Sequence, residues 1–227
     1  MVLKQPEMIV FDLDGTLVDS VPDLTYSLDT MLEELGRFPC GEEKVRLWIG
    51  SGIRKLVKRA LTGEMDTEPD PELYEKAFSI FSGIYLENAC KRTYIYDGVE
   101  DCLKYLRDKK YLMGCVTNKH EKFTRIVLRT LGISKHFGII ICGDTLEKNK
   151  PDPMPLLHAA NYFGVEPEMC LMVGDSASDV KAARAAGFQS LAVTYGYNHG
   201  RDIRETKPDA IVDSLAGLPA MMEPVNA

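Results

Sequence analysis

Several familiar kinds of site are missing from this chain. Its six cysteines, Cys40, Cys90, Cys102, Cys115, Cys142 and Cys170, include no Cys-x-x-Cys pair. They read as buried free thiols of a reducing cytoplasm, with no sign of a zinc site or a disulfide framework. The four histidines are scattered, which gives little support to a histidine metal cluster or a Ser-His-Asp site. There is no basic-then-apolar leader and no apolar run long enough to span a membrane, so a cytoplasmic protein is expected. Basic residues are outnumbered by acidic ones, 27 to 34. The net charge of −7 argues against nucleic acid or an acidic membrane surface as partner. A negative protein that binds an anionic substrate needs a local cation, from a metal or from lysine. Internal repeats, low-complexity tracts and long linkers are also absent.

What is present is enough chain, 227 residues, to bury a real core in one or two domains. It is organised around Met8-Ile9-Val10-Phe11-Asp12-Leu13-Asp14-Gly15-Thr16-Leu17. An apolar run of strand-like composition ends in two carboxylates. Residues i and i+2 of an extended chain point the same way, about 6–7 Å apart along the backbone. Two carboxylates at the end of a buried strand are costly unless they hold a cation or do chemistry. An Asx turn with a helix cap is the plain alternative. An EF-hand loop fits poorly, because the glycine comes too early and its surroundings are apolar.

Asp19-Ser20-Val21-Pro22 reads as a helix start with a capping side chain, and Gly36 as that helix's end. Residues 42–49 and 53–62 read as two short helices around Gly50-Ser51-Gly52, and a longer helix runs from Pro71 to Cys90. From Asp97 the pattern changes. Helices at 99–109, 121–131 and 178–186, and one following Pro153, alternate with apolar runs at Leu112–Val116, Phe137–Cys142, Cys170–Val173 and 189–193. A last short strand lies near Ala210–Val212. Continuous apolar runs alternating with helices predict an α/β fold: a doubly wound, Rossmann-like parallel sheet with an all-helical block inserted after strand one. Residues 1–18 and 95–227 form the expected core domain, and 19–94 the helical one.

In such folds the site lies beyond the carboxyl ends of the strands. Here those ends carry Asp12 and Asp14, Thr117 and Asn118, Asp144, and Asp175. Asp175 and Asp179 stand four apart in Gly174-Asp175-Ser176-Ala177-Ser178-Asp179, where helix capping is an equal explanation. Lys150 by itself would be a solvated charge, and Thr117 a helix cap. Together, two carboxylate pairs, a hydroxyl and a lysine at successive strand ends can bind a metal and a phosphoryl group and supply a nucleophile.

Asp12-x-Asp14-Gly15-Thr16, Thr117, Lys150 and Gly174-Asp175-x-x-x-Asp179 resemble, in order, the four motifs of the haloacid dehalogenase-like hydrolases. The resemblance spans essentially the whole chain, and the helical block looks like that family's cap domain. Trp48-Ile49-Gly50-Ser51-Gly52, Cys142-Gly143-Asp144-Thr145-Leu146, Lys150-Pro151-Asp152-Pro153 and Thr194-Tyr195-Gly196-Tyr197-Asn198 are similar to stretches of its bacterial phosphoglycolate phosphatases. Asp97 departs from the pattern, because proline often stands there.

The resemblance implies a Mg²⁺-dependent phosphatase acting on a small phosphorylated metabolite, with 2-phosphoglycolate as the leading substrate. Asp12 would be the nucleophile and Asp14 the acid and base, with its pKa raised by a neighbouring carboxylate and burial. Mg²⁺ would sit on Asp12, the Asp14 backbone carbonyl and Asp175, with Asp179 as ligand or support. Thr117, the Asn118 backbone and Lys150 would hold the phosphoryl oxygens. Ser51, Gly52 and Arg54, at a helix start, could bind a small carboxylate, with Arg54 or Lys58 pairing to it. A sugar-phosphate phosphatase, a phosphosugar mutase or a pyrophosphatase would share this core. A phospho-accepting receiver domain would also use Asp, Thr and Lys, but it needs no inserted cap. A monomer or homodimer is expected.

Overall fold

The computed structural model describes residues 3–222. Strand β1 (Met8–Phe11) leads through a two-residue strand β2 (Val18–Asp19) into four helices: α1 (Val21–Glu34), α2 (Glu42–Trp48), α3 (Ile53–Thr62) and α4 (Pro71–Asn88). A second short strand, β3 (Tyr94–Ile95), brings the chain back. Helices and strands then alternate through α5 (Val99–Asp108), β4 (Leu112–Val116), α6 (Glu121–Thr130), β5 (Ile139–Ile141), α7 (Met154–Phe163), β6 (Cys170–Gly174), α8 (Ala177–Ala186), β7 (Gln189–Val193) and β8 (Ala210–Val212).

Six of the strands form one parallel sheet in the order β5-β4-β1-β6-β7-β8. β1 is fully buried, and its alternate side chains enter two separate cores. Ile9 and Phe11 pack with Leu103, Leu106 and Val127, while Met8 and Val10 pack with Leu156, Ala160 and Ala183. Burial on both faces is why this strand reads as an unbroken apolar run. Strand order reverses around β1, which makes its carboxyl end the crevice of the sheet. The register aligns Phe11 with Cys115 on one side and Val173 on the other. The residues that follow these positions therefore leave the sheet along one edge.

The helices between β2 and β3 share a third core, built on Leu28, Met31, Val57, Phe81 and Tyr85 and joined by Phe123 and Tyr197 from outside the block. α4 opens on Asp70, which accepts from the Leu73 amide at 2.9 Å, with Pro71 next. The cap expected on α1 is different. The Asp19 carboxylate takes the Val21 amide at 3.0 Å, and the Ser20 hydroxyl turns away to donate to Asp14 at 2.6 Å. β2 and β3, too short to read from the sequence, pair antiparallel where the chain crosses into and out of the block. The buried Asp23 on α1 accepts from the Arg92 and Thr93 amides and the Thr93 hydroxyl, fixing the return crossing to the first helix. Among the described residues no helix is long and apolar enough to cross a membrane.

Candidate active site

The end of β1 is held by its neighbours. The Asp12 amide donates to the Val173 carbonyl at 2.9 Å, and its carboxylate accepts from the Leu13 amide at 2.7 Å. Asp175, at the end of β6, accepts from the Thr16 hydroxyl and the Tyr197 amide, both at 2.8 Å. It lies in a cradle made of glycine. A Cβ on Gly15 or on Gly196 would collide with the Asp175 carboxylate, and Gly15 also has φ +87°. Asp179 closes a capping box with Ser176 at the start of α8, accepting from the Ser176 amide at 3.0 Å and its hydroxyl at 2.7 Å. The capping explanation is thus realised, through Asp179 as well as Ser176, and it still leaves Oδ1 of Asp179 facing Lys150.

Asp12, Asp175 and Asp179 each offer one carboxylate oxygen, all within 4.8 Å of one another. Burial pushes Asp175 up to about 8, helped by the charges of Asp179 and Asp12. Burial also lifts Asp12 to about 6; Lys150 opposes the shift and Asp179 adds to it. Lys150 Nζ reaches three acceptors: Asp12 Oδ1 at 3.0 Å, Asp179 Oδ1 at 2.7 Å and the Val116 carbonyl at 2.6 Å. Those partners outweigh the cost of its burial and raise its pKa, so it stays an ammonium.

Thr117 is buried after β4, its amide paired with the Ile141 carbonyl of β5 and its hydroxyl accepting from the Lys119 amide at 3.2 Å. The Asn118 side chain donates to the Lys150 carbonyl at 3.0 Å, and Gly143 packs so closely on the Asn118 carbonyl that a Cβ would not fit. Asp14 does not join the carboxylate cluster. An ammonium and a hydroxyl touch its side chain, where the sequence suggested a second carboxylate: Lys119 Nζ lies at 3.0 and 3.1 Å, and Ser20 Oγ at 2.6 Å.

A cavity of about 40 Å³ sits above Asp12, Asp14, Thr117 and Asn118, roofed by Leu24, Ile49, Gly50, Ile53 and Leu56 of the helical block. An outer cavity of about 450 Å³ adjoins Lys150 and is lined by Ser51, Gly52, Arg54, Lys55 and His120. α3 begins at Gly52 with no side-chain cap. Arg54 lines the outer cavity while its guanidinium lies over the Phe78 ring at 4.8 Å. Lys58 is elsewhere: it pairs with Glu68 at 2.5 Å, lies over the Tyr74 ring and lines neither cavity. One turn beyond Arg54, it points at an acidic partner within the block itself.

The family model for haloacid dehalogenase-like hydrolases matches residues 9–193. The chain belongs to this family. The hydrolase is 56% identical over 213 residues to a phosphoglycolate phosphatase of Nitrosococcus oceani, covering 94% of this chain and 95% of that one. It is 46% identical over 215 residues to the phosphoglycolate phosphatase of Thiobacillus denitrificans, covering 94% of each. A crystal structure from Haemophilus somnus 129PT, described as a predicted phosphoglycolate phosphatase, superposes with a TM-score of 0.92 at 34% identity, covering 97% of this chain and 99% of that one.

Sequence reasoning overlooked several residues of this hydrolase's site. Lys119 directly follows Thr117-Asn118 at a strand end, and that adjacency was a usable signal. Tyr85 lies in the last turn of α4 on the same stripe as Phe81, and nothing in its local pattern sets it apart. Lys55 and His120 become visible only once the helical block is laid over the sheet.

Proposed function

We propose that this hydrolase is a Mg²⁺-dependent phosphatase that converts 2-phosphoglycolate to glycolate and phosphate. The observation that carries the chemistry is the trio of half-buried Asp12 and buried Asp175 and Asp179 beside Lys150. The donor set suits Mg²⁺, which prefers hard oxygen ligands. Among the described residues four carboxyl groups, Asp14 included, face two ammoniums, Lys119 and Lys150, so the site has room for further positive charge. Asp12, Asp175 and the Asp14 carbonyl would hold the ion, with Asp179 as ligand or support. When bound, Mg²⁺ supplies Lewis-acid stabilisation and screens the phosphoryl charge from Asp12.

The chain's own residues divide the remaining work. An Asp12 oxygen attacks phosphorus as the bond to the leaving oxygen breaks, and Asp14 delivers a proton to that oxygen. A water then attacks the aspartyl-phosphate, Asp14 takes its proton, and Asp12 is released as carboxylate. Thr117, the Asn118 backbone and Lys150 hold the phosphoryl oxygens and meet the charge that develops on them. The small roofed cavity favours a short leaving group. The uncapped start of α3 at Ser51-Gly52 offers amide groups to the substrate carboxylate, with Arg54 in the wall outside.

The test is phosphate release by the purified protein with Mg²⁺ on 2-phosphoglycolate, β-glucose 1-phosphate, other sugar phosphates and pyrophosphate. Preference for 2-phosphoglycolate by tenfold or more in kcat/KM, about 1.4 kcal/mol in the transition state, is the expected result. A flat or different ranking overturns the substrate, and no release from any compound overturns the phosphatase.

A further inference from the structure

Asp14 is tied at both ends of the helical block. Ser20, which holds one carboxylate oxygen, opens α1. Lys119, which contacts both oxygens, is held in turn by the Tyr85 hydroxyl of α4 at 2.7 Å. The three hydrogens of the Lys119 ammonium therefore meet two Asp14 oxygens and one phenol oxygen. Lys119 is 3% exposed and Tyr85 is fully buried. Among the described residues the phenol oxygen bonds only to Lys119. The Tyr85 ring is fixed independently, stacked on Phe81 at 5.4 Å and tilted against Phe123 of α6 at 4.7 Å. An apolar pair would fill this space at less cost than a buried ammonium, so bulk alone does not account for the trio.

We propose that Lys119 and Tyr85 are positioning residues that lock the Asp14 carboxyl in line with the leaving oxygen only when the helical block is seated on the core. The proposal rests on the reading of Asp14 as the proton donor. With the block lifted, the Tyr85 oxygen leaves Lys119, and the ammonium regains freedom to move and to hydrate. Proton delivery is then tied to closure, and an open site in contact with water holds a poorly aligned acid.

Leaving-group chemistry separates this role from general support of the fold. An alkoxide such as glycolate must be protonated as it departs, whereas p-nitrophenolate departs unaided. The experiment compares kcat/KM on 2-phosphoglycolate and p-nitrophenyl phosphate for the full-length protein and for Asp14→Asn, Lys119→Met and Tyr85→Phe. Tyr85→Phe keeps the stacked ring and removes only the oxygen. Loss of one hydrogen bond to a charged group predicts a fall of roughly 10-fold or more on 2-phosphoglycolate, with little change on p-nitrophenyl phosphate. Lys119→Met should lose more, with the same bias, and the double variant should be no worse than Lys119→Met alone. Equal losses on both substrates, or no loss in Tyr85→Phe, overturn the proposal while leaving Asp14 as the acid if Asp14→Asn keeps the bias. An Asp14→Asn variant without the bias overturns the acid assignment and the proposal together.

Discussion

Replacing Lys150 by methionine tests the electrostatic account of the site most directly. Methionine keeps most of the stem and removes the ammonium that now touches Asp12, Asp179 and the Val116 carbonyl. The variant leaves Asp12, Asp175 and Asp179 facing one another inside the protein without that cation. Deleting one partner of a buried ion pair costs about 3–5 kcal/mol, and each kcal/mol moves the midpoint of a chain this long by about 2–4 °C. The melting midpoint in EDTA at neutral pH should therefore fall by roughly 6 °C or more on those figures. Mg²⁺ brings positive charge to the same oxygens and should restore part of the loss. Turnover should not recover with it, because removing one preorganised contact to the phosphoryl charge costs about 10²–10³ in kcat. Thermal unfolding followed by circular dichroism, with and without EDTA, and phosphate release read the two effects separately. An unchanged midpoint in EDTA, or turnover close to that of the parent, would refute the reasoning.

Two further outcomes follow from the same cluster. Asp12→Asn should fold normally, release no phosphate and form no acid-labile phosphoenzyme, as read by mass spectrometry after acid quench; turnover near the parent's would remove Asp12 as nucleophile. The raised carboxyls also make stability depend on pH. Asp12 and Asp175 shift from 3.8 to about 6 and about 8, so the folded protein keeps protons that the unfolded chain has released. Their contribution to stability is full below the unfolded value and declines as pH rises through this window. Mg²⁺ competes with those protons, so the gap between melting midpoints in Mg²⁺ and in EDTA should widen from acid pH toward pH 8. A gap that is constant across the window counts against the crowded-carboxylate account.

Much of the core was legible because its signals are local and redundant. A strand buried on both faces needs an unbroken apolar run, and Met8–Phe11 supplies one that ends in charge. The parallel order then brings Asp12, Thr117 and Asp175 to one edge. The helical block was legible as helices but not as a recognition surface. Lys58 looked suitable from its place one turn after Arg54, yet Glu68, beyond the end of α3, claims it. The surroundings of Asp14 depend on Lys119 and on Tyr85, which are 105 and 71 residues away in sequence. No periodicity connects such positions, because the contact exists only after the block folds back over the sheet. The Ser20 hydroxyl illustrates the same limit. Its local pattern says helix cap, and a long-range partner takes it instead.

The pairing of β2 with β3 has a consequence for how this scaffold can diversify. The chain enters and leaves the helical block side by side, as a two-ply ribbon with Val18 opposite Ile95 and Asp19 opposite Tyr94. Everything beyond that ribbon lies outside the register of β1, β4 and β6, although Ser20 and Tyr85, which lie beyond it, reach back to Asp14 and Lys119. One splice across two adjacent strands would graft a different roof onto the same floor. A new roof would leave Asp12, Asp175 and Asp179 on their own core supports, but it would have to supply fresh partners for Asp14 and Lys119.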